Sequence, residues 1–249
     1  MLNSFLTHGW ASTPERLAIA AGLTVAFAVL ARILRGVNRS GALAGGLACF
    51  LLFAGGGPRA FATLAMLFAM TWISTRLGYR RKLALGLAER REGRNGWQVL
   101  ANLAIAALAS ALFSATGNHA WLVATVAALA EAATDTVASE IGQYRRADAR
   151  MITTLERVPA GTDGGVTIPG SVAGLAAGLV ITVVAAVGGI LPQSQFWIPV
   201  ATGFSGMLFD SLLGATVQRR GWISNQAVNF FATLAAGGVA YAIAMSVVP

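Results

Sequence analysis

Long apolar runs alternate with short polar breaks along the whole chain. Crossing a bilayer takes about 20 mostly apolar residues in a helix. Eight runs approach or exceed that length: 17–35, 41–57, 59–75, 97–116, 118–138, 167–191, 195–217 and 227–248. The breaks at 55–59, 117–119 and 192–194 are short enough for tight turns, whereas 76–96, 139–166 and 218–226 read as polar loops. This pattern predicts an all-α, polytopic membrane bundle of about eight transmembrane helices, forming one membrane domain over 1–249.

Composition strengthens that reading. Of 249 residues, 56% are hydrophobic and 11% charged, against roughly 25% charged in an ordinary soluble domain. A soluble fold of this size has no polar surface to spare for so many apolar groups. The one cysteine, Cys49, rules out an intrachain disulfide, and His8 and His119 stand apart without partners at transition-metal spacing. No removable signal sequence is expected at the N-terminus.

Charge then orients the bundle. The formal net charge is +8, from 17 Arg and one Lys against ten acids. In the eight-span arrangement, 16 of the 18 basic residues fall on one side and only Arg16 and Arg59 on the other. That bias predicts a bacterial-type plasma membrane protein with this side cytoplasmic and both termini outside. Basic clusters beside apolar spans point to topology and anionic lipid or phosphate, not to nucleic acid.

The ten acids separate into two groups. Glu15, Glu89, Glu92, Asp148 and Glu156 read as solvated loop charges. Glu131, Asp135, Glu140, Asp163 and Asp210 lie inside apolar spans or at their cytoplasmic mouths. A carboxylate at membrane depth costs at least ~2.5 kcal/mol, so it faces a cavity or a partner. Glu131 and Asp135 are about 40° apart on a helix and share a face, whereas Asp135 and Glu140 diverge by about 140° unless the helix ends or kinks near Val137. Gly203, Gly206, Asp210 and Gly214 fall within about 80° of arc, a stripe suited to close helix contact or ligand approach. Amides follow the same rule, with Asn95, Gln98 and Asn102 on one face and Asn225 and Asn229 spaced i,i+4. The segment Val158–Val166 is rich in glycine and leads into a helix N-terminus, a setting in which backbone N–H groups receive an anion.

The ordered set Arg94–Asn102, Asp135–Gly142, Pro159–Val166, Gly203–Gln218 and Asn225–Asn229 resembles an integral membrane family, domain of unknown function 92. That family includes animal transmembrane protein 19 and plant phytyl-phosphate kinase. The resemblance runs from about Ser40 to Phe230. It departs at Val137, where the family has Trp, and at Gln226, where the pattern has Asp. It implies transfer of a phosphoryl group from a nucleoside triphosphate, with CTP expected, to an isoprenyl monophosphate, giving a diphosphate with the help of Mg²⁺.

Phosphoryl transfer asks mainly for positioning and charge neutralisation. On this reading Asp135, Glu140 and Asp210 are candidate Mg²⁺ ligands and, with Arg94, the catalytic set. Arg94, with Arg76 or Lys82, would hold phosphates. Gly161, Thr162, Asp163, Gly164 and Gly165, with Asn95, Asn102, Asn225 and Asn229, would contact the nucleotide. An apolar cleft between helices would take the isoprenyl tail. A homodimer is among the arrangements the sequence allows. The competing reading is a transporter or flippase for an anionic lipid or small anion, since buried acids near glycine-broken helices suit a carrier too. Against it, no acid falls in the outer halves of the spans.

Overall fold

The apolar runs become helices in a computed structural model that describes residues 10, 13–145 and 148–247. Helix α1 is Pro14–Ile33; Thr13 caps it, accepting from the Arg16 amide, and Pro14 opens its first turn. Helix α2 runs Arg39–Arg76, 38 residues. At 1.5 Å per residue it would reach about 57 Å, nearly twice the hydrocarbon thickness of a bilayer. It does not run straight. Gly57 adopts φ 68° and ψ −160°, immediately before Pro58, a conformation open to glycine and closed to most other residues. The far end of α2 then returns to the α1–α2 connection, where Trp72 and Arg76 both donate to the Leu34 carbonyl. The two predicted spans 41–57 and 59–75 are therefore two helical segments of α2, broken at Gly57. Among the described residues, seven helices are long and apolar enough to cross a membrane, and the break at Gly57 divides one of them, α2, in two.

The remaining helices are α3 (Tyr79–Ala84), α4 (Gly96–Thr116), α5 (Ala120–Arg145), α6 (Ile168–Val187), α7 (Trp197–Leu213) and α8 (Asn225–Val247), with a π-helical turn at Gly214–Gln218. The 139–166 loop differs from expectation in two ways. Helix α5 continues unbroken past Val137 to Arg145, because a helix needs no lipid once it leaves the membrane, and hydropathy marks only the part inside. Beyond it, β1 (Ala149–Met151) pairs antiparallel with β2 (Arg157–Val158) and β3 (Gly165–Val166), in the order β2–β1–β3. Strands this short carry no readable alternation.

Helix α5 is the hub. Of its most apolar stretch 83% is buried, against 17% in α1. Small residues bring its neighbours close. A Cβ on Gly174 of α6 would sit 2.6 Å from the Thr134 carbonyl, and one on Gly206 of α7 would sit 2.6 Å from Glu131 Cγ. Contacts Gly93–Gly36, Arg81–Tyr144, Gly164–Ala215 and Arg219–Met151 gather the arginine-bearing loops at one end of the bundle. The side chain of Arg145, the whole of Arg146 and both chain termini, which also entered the sidedness argument, lie outside the described residues, as does His8.

Candidate functional site

At the basic end, a polar cavity of about 350 Å³ opens between α4, α5, α7, α8 and the β-loop segment. Its position follows from how each wall is built. The wall from α4 starts at a capping box: Asn95 accepts from the Gln98 amide at 3.1 Å, and the Gln98 side chain accepts from the Asn95 amide at 2.9 Å. Just before it, Arg94 is fixed by its backbone. Its amide donates to Gly36 O and its carbonyl accepts from the Asn38 amide, both at 3.0 Å, so the α1–α2 connection sets where the guanidinium emerges.

The half-buried Arg94 reaches Thr136 Oγ1 at 3.4 Å and Glu89 Oε2 at 3.9 Å, and lies within electrostatic reach of Asp135. Glu89 also accepts from Gln98 Nε2 at 3.1 Å. It is therefore no solvated loop charge: the 76–96 loop folds back and presents it, half-buried, beside Arg94. A loop's return path leaves no periodic signal in sequence.

Asp135 from α5 and Asp210 from α7 both line the cavity, each within electrostatic reach of the other, and Asp163 from the loop acts on Asp210 as well. The amides complete this corner. With its orientation assigned from its partners, the Asn229 amide nitrogen donates to Asp210 Oδ2 at 3.2 Å and to the Asn225 carbonyl at 3.1 Å, while its oxygen accepts from Asn102 Nδ2 at 3.3 Å. Asn229 thus bonds Asp210 and ties it to Asn102, while Asn225 takes part through its backbone carbonyl. Across the opening, Gly161, Thr162, Asp163, Gly164 and Gly165 form the rim. Gly161 (φ 84°) and Gly164 (φ 77°) take left-handed conformations, and Gly164 abuts the backbone of Ala215 in the π-helical turn. The Gly165 amide is already spent on the Thr162 carbonyl at 2.8 Å. Gln226 lines the same cavity.

Three expected site residues are used otherwise. Lys82 is buried, at 1% exposure, and its ammonium donates to Glu140 and to the Ser74 and Thr75 carbonyls. Its three donors are committed to closing the end of α2, which leaves none for a phosphate. Glu140 lines the cavity, yet its charge answers Lys82. With α5 unkinked, the 140° separation from Asp135 stands. The trio Asp135, Glu140, Asp210 does not assemble, and no three acidic, His or Cys side chains form a metal-binding group among the described residues. Asn95 spends its side chain on the helix cap, and Gln98 faces the cavity instead. Its sequence, Asn95 followed three residues later by Gln98, was a legible capping signal.

Asp135 and Asp210 alone still suit a hard cation. Mg²⁺ takes one or two carboxylates and completes its shell with phosphate oxygens and water. Glu131 lies deeper, at 1% exposure with Oε1 unpartnered, under Gly203 and Gly206.

Comparison with known proteins bears on what this arrangement is for. The family described as integral membrane protein DUF92 matches residues 22–237. An uncharacterized membrane protein of Synechocystis, sll0875, is 31% identical over 78% of this chain and 77% of its own. Protein VTE6, chloroplastic, of Arabidopsis thaliana is 27% identical over 88% of this chain and 68% of its own. Protein PGR of the same plant is 31% identical over 73% of each. No solved structure matches the chain.

Proposed function

Since the chain belongs to the integral membrane protein family DUF92, we propose that it is a membrane-embedded kinase that converts an isoprenyl monophosphate to the diphosphate, with CTP as phosphoryl donor. The observation that carries this reading is the meeting of Asp135, Asp210 and Arg94 in one polar cavity beneath a glycine rim. The resemblance to a family that includes plant phytyl-phosphate kinase, and the match to VTE6 over 88% of the chain, support it. On this reading the arginine-rich end faces the cytoplasm, where nucleotide is.

The chemistry balances without a strong base. A phosphate oxygen of the isoprenyl monophosphate, already ionised, attacks the γ-phosphorus of the nucleotide. A P–O bond forms to it as the γ-phosphorus separates from the β–γ bridging oxygen, which leaves with the electron pair on the nucleoside diphosphate. Negative charge spreads over the transferring group, so the protein's task is to hold two polyanions in line and offset their repulsion. Arg94 offers a planar fork to phosphate oxygens. The Asn102–Asn229–Asp210 bonds hold Asp210 in one orientation, and Glu89 with Thr136 does the same for Arg94. Asp135 and Asp210 are the residues that would hold Mg²⁺, and the ion would supply charge neutralisation for the phosphates.

The test is turnover by purified protein with Mg²⁺, CTP, ATP, GTP or UTP, and phytyl, geranylgeranyl or farnesyl phosphate. Isoprenyl diphosphate with CTP preferred is the expected product. Absence of diphosphate in every combination overturns the proposal. Liposome uptake of the lipid or of phosphate without nucleotide would put a carrier in its place.

A further inference from the structure

A second cavity, of about 440 Å³, lies beside the polar one and differs from it in chemistry. Its walls are apolar: Phe27 and Ala28 from α1, Leu64 and Phe68 from the second half of α2, and Val99 and Leu103 from α4. Its mouth is basic, with Arg35, Arg76, Arg90, Arg91 and Arg94 around a single acid, Glu89. Three residues, Glu89, Arg94 and Asn102, line both cavities, so the two adjoin at the Arg94 guanidinium.

The emptiness of this groove is built by small side chains. A Cβ on Gly45 would meet only Val99 Cγ1, at 3.6 Å, and one on Gly46 would meet Thr24 and Ala28 no closer than 3.8 Å. Both are ordinary contact distances, so a larger side chain would start without a clash there and fill the space beyond. Glycine keeps it open. At the mouth, Arg76 stacks on the Trp72 ring at 4.0 Å while both donate to the Leu34 carbonyl. That holds one guanidinium at the rim.

We propose that this groove binds the hydrocarbon chain of a single-chain lipid monophosphate, with its phosphate in the arginine cluster and presented past Arg94 to the polar cavity. The inference rests on the kinase reading for the direction of the phosphate, and adds to it the site of the lipid, the residues that shape it and those that hold its head. An apolar trough with five cations and one anion at its mouth complements an amphiphile whose charge is concentrated at one end. Neutral alcohols would lose the arginine contacts, and free phosphate would lose the apolar burial.

Binding of radiolabelled geranylgeranyl monophosphate to the purified chain in nanodiscs, with no nucleotide present, tests this. Wild type should bind saturably, and unlabelled geranylgeranyl monophosphate should displace the label where geranylgeraniol or inorganic phosphate at equal concentration does not. Gly45→Leu and Ala28→Leu, which fill the groove from α2 and from α1, should each weaken binding at least ~10-fold through lost apolar burial. Arg35→Gln with Arg91→Gln should weaken it ~10-fold through lost charge-assisted contacts. Thermal midpoints separate a filled groove from a misfolded chain, and the two arginine substitutions at exposed positions serve if both groove variants fail to fold. No binding by wild type, equal binding by folded variants, or equal competition by the alcohol overturns the inference. The two readings fail separately. Groove-dependent binding without diphosphate formation sinks the kinase and leaves the groove, whereas turnover whose KM for lipid ignores Gly45→Leu and Ala28→Leu sinks the groove and leaves the kinase.

Discussion

Helices α1 and α5 are both apolar spans of 20 residues or more, yet they occupy opposite places in the molecule. Over its most apolar stretch the more hydrophobic one, α1, has a mean hydropathy of 1.8 with 17% of that stretch buried, whereas the most apolar stretch of α5 has 1.3 with 83% buried. The order is the reverse of a soluble protein's, because lipid is as good a solvent for Leu and Val as a protein interior. What must be withdrawn from lipid is polarity. Glu131 and Thr134 on α5 lie under glycines of α6 and α7, and Asp135, Thr136 and Glu140 face the polar cavity instead of lipid.

The largest expected effect breaks the α5 side at its charged end. Lys82 is 1% exposed and Glu140 14% exposed in their side chains, so removing either leaves a buried charge alone. Lys82→Met is expected to cost about 3–5 kcal/mol of stability, the usual loss when one partner of a buried pair goes. The double variant Lys82→Met, Glu140→Gln should recover part of it. Thermal unfolding in detergent measures both, and additive losses would show that the pair is not coupled. On α1 the two arginines, Arg16 and Arg32, stand near opposite ends of the helix.

Next come the two carboxylates that α5 and α7 bring to the polar cavity. Asp135→Asn and Asp210→Asn keep shape and remove charge, and each is expected to lower turnover by about 10²–10³-fold, as losing one preorganised electrostatic contact does elsewhere. Expression and thermal midpoint should change little. Wild-type rates for both would remove them from the reaction. The comparison sharpens with Asn95→Ala: a capping loss of ~1 kcal/mol in stability, with kcat unaltered, because Asn95 caps α4 and does not line the cavity.

These expectations show how much the sequence carried. Hydropathy located each membrane-length helix among the described residues, because the cost of a polar residue in lipid is written one residue at a time. The same cost marked Asp135, Asp210, Asn102 and Asn229, which the structure brings together. Partner choice was not legible. Lys82 and Glu140 are 58 positions apart, and neither carries a sign that it will find the other instead of a phosphate. Glu89 looked like any loop acid because its burial depends on the path of the 76–96 loop over α4. The helical continuation to Arg145 was hidden for a different reason: hydropathy ends where the membrane does, and the helix does not.

Substitutions at glycine probe packing on the two sides with less chemistry in the way. On the α5 side, a Cβ at Gly174 would press to 2.6 Å from the Thr134 carbonyl and 2.9 Å from Ala138 Cβ. Both are obstacles that move only if the helices separate, so Gly174→Val should lose about 1–3 kcal/mol by overpacking.

The smallest effect is the most telling about α1. Nothing lies within 4 Å of a Cβ built on Gly22, so Gly22→Ala adds a methyl group to open space. It should be neutral or stabilise by up to ~1 kcal/mol, the helix-propensity difference between the two residues. The thermal midpoint of the purified chain reads this directly against Gly174→Val. A loss at Gly22 as large as that at Gly174 would mean that α1 is covered in the native assembly, and that its exposure belongs to the single chain alone. A second copy seated on α1 would then show as a larger mass in nanodiscs that Gly22→Ala reduces. With neutral behaviour at Gly22, the peripheral helix faces lipid, and burial tracks polarity across this bundle as it does between α1 and α5.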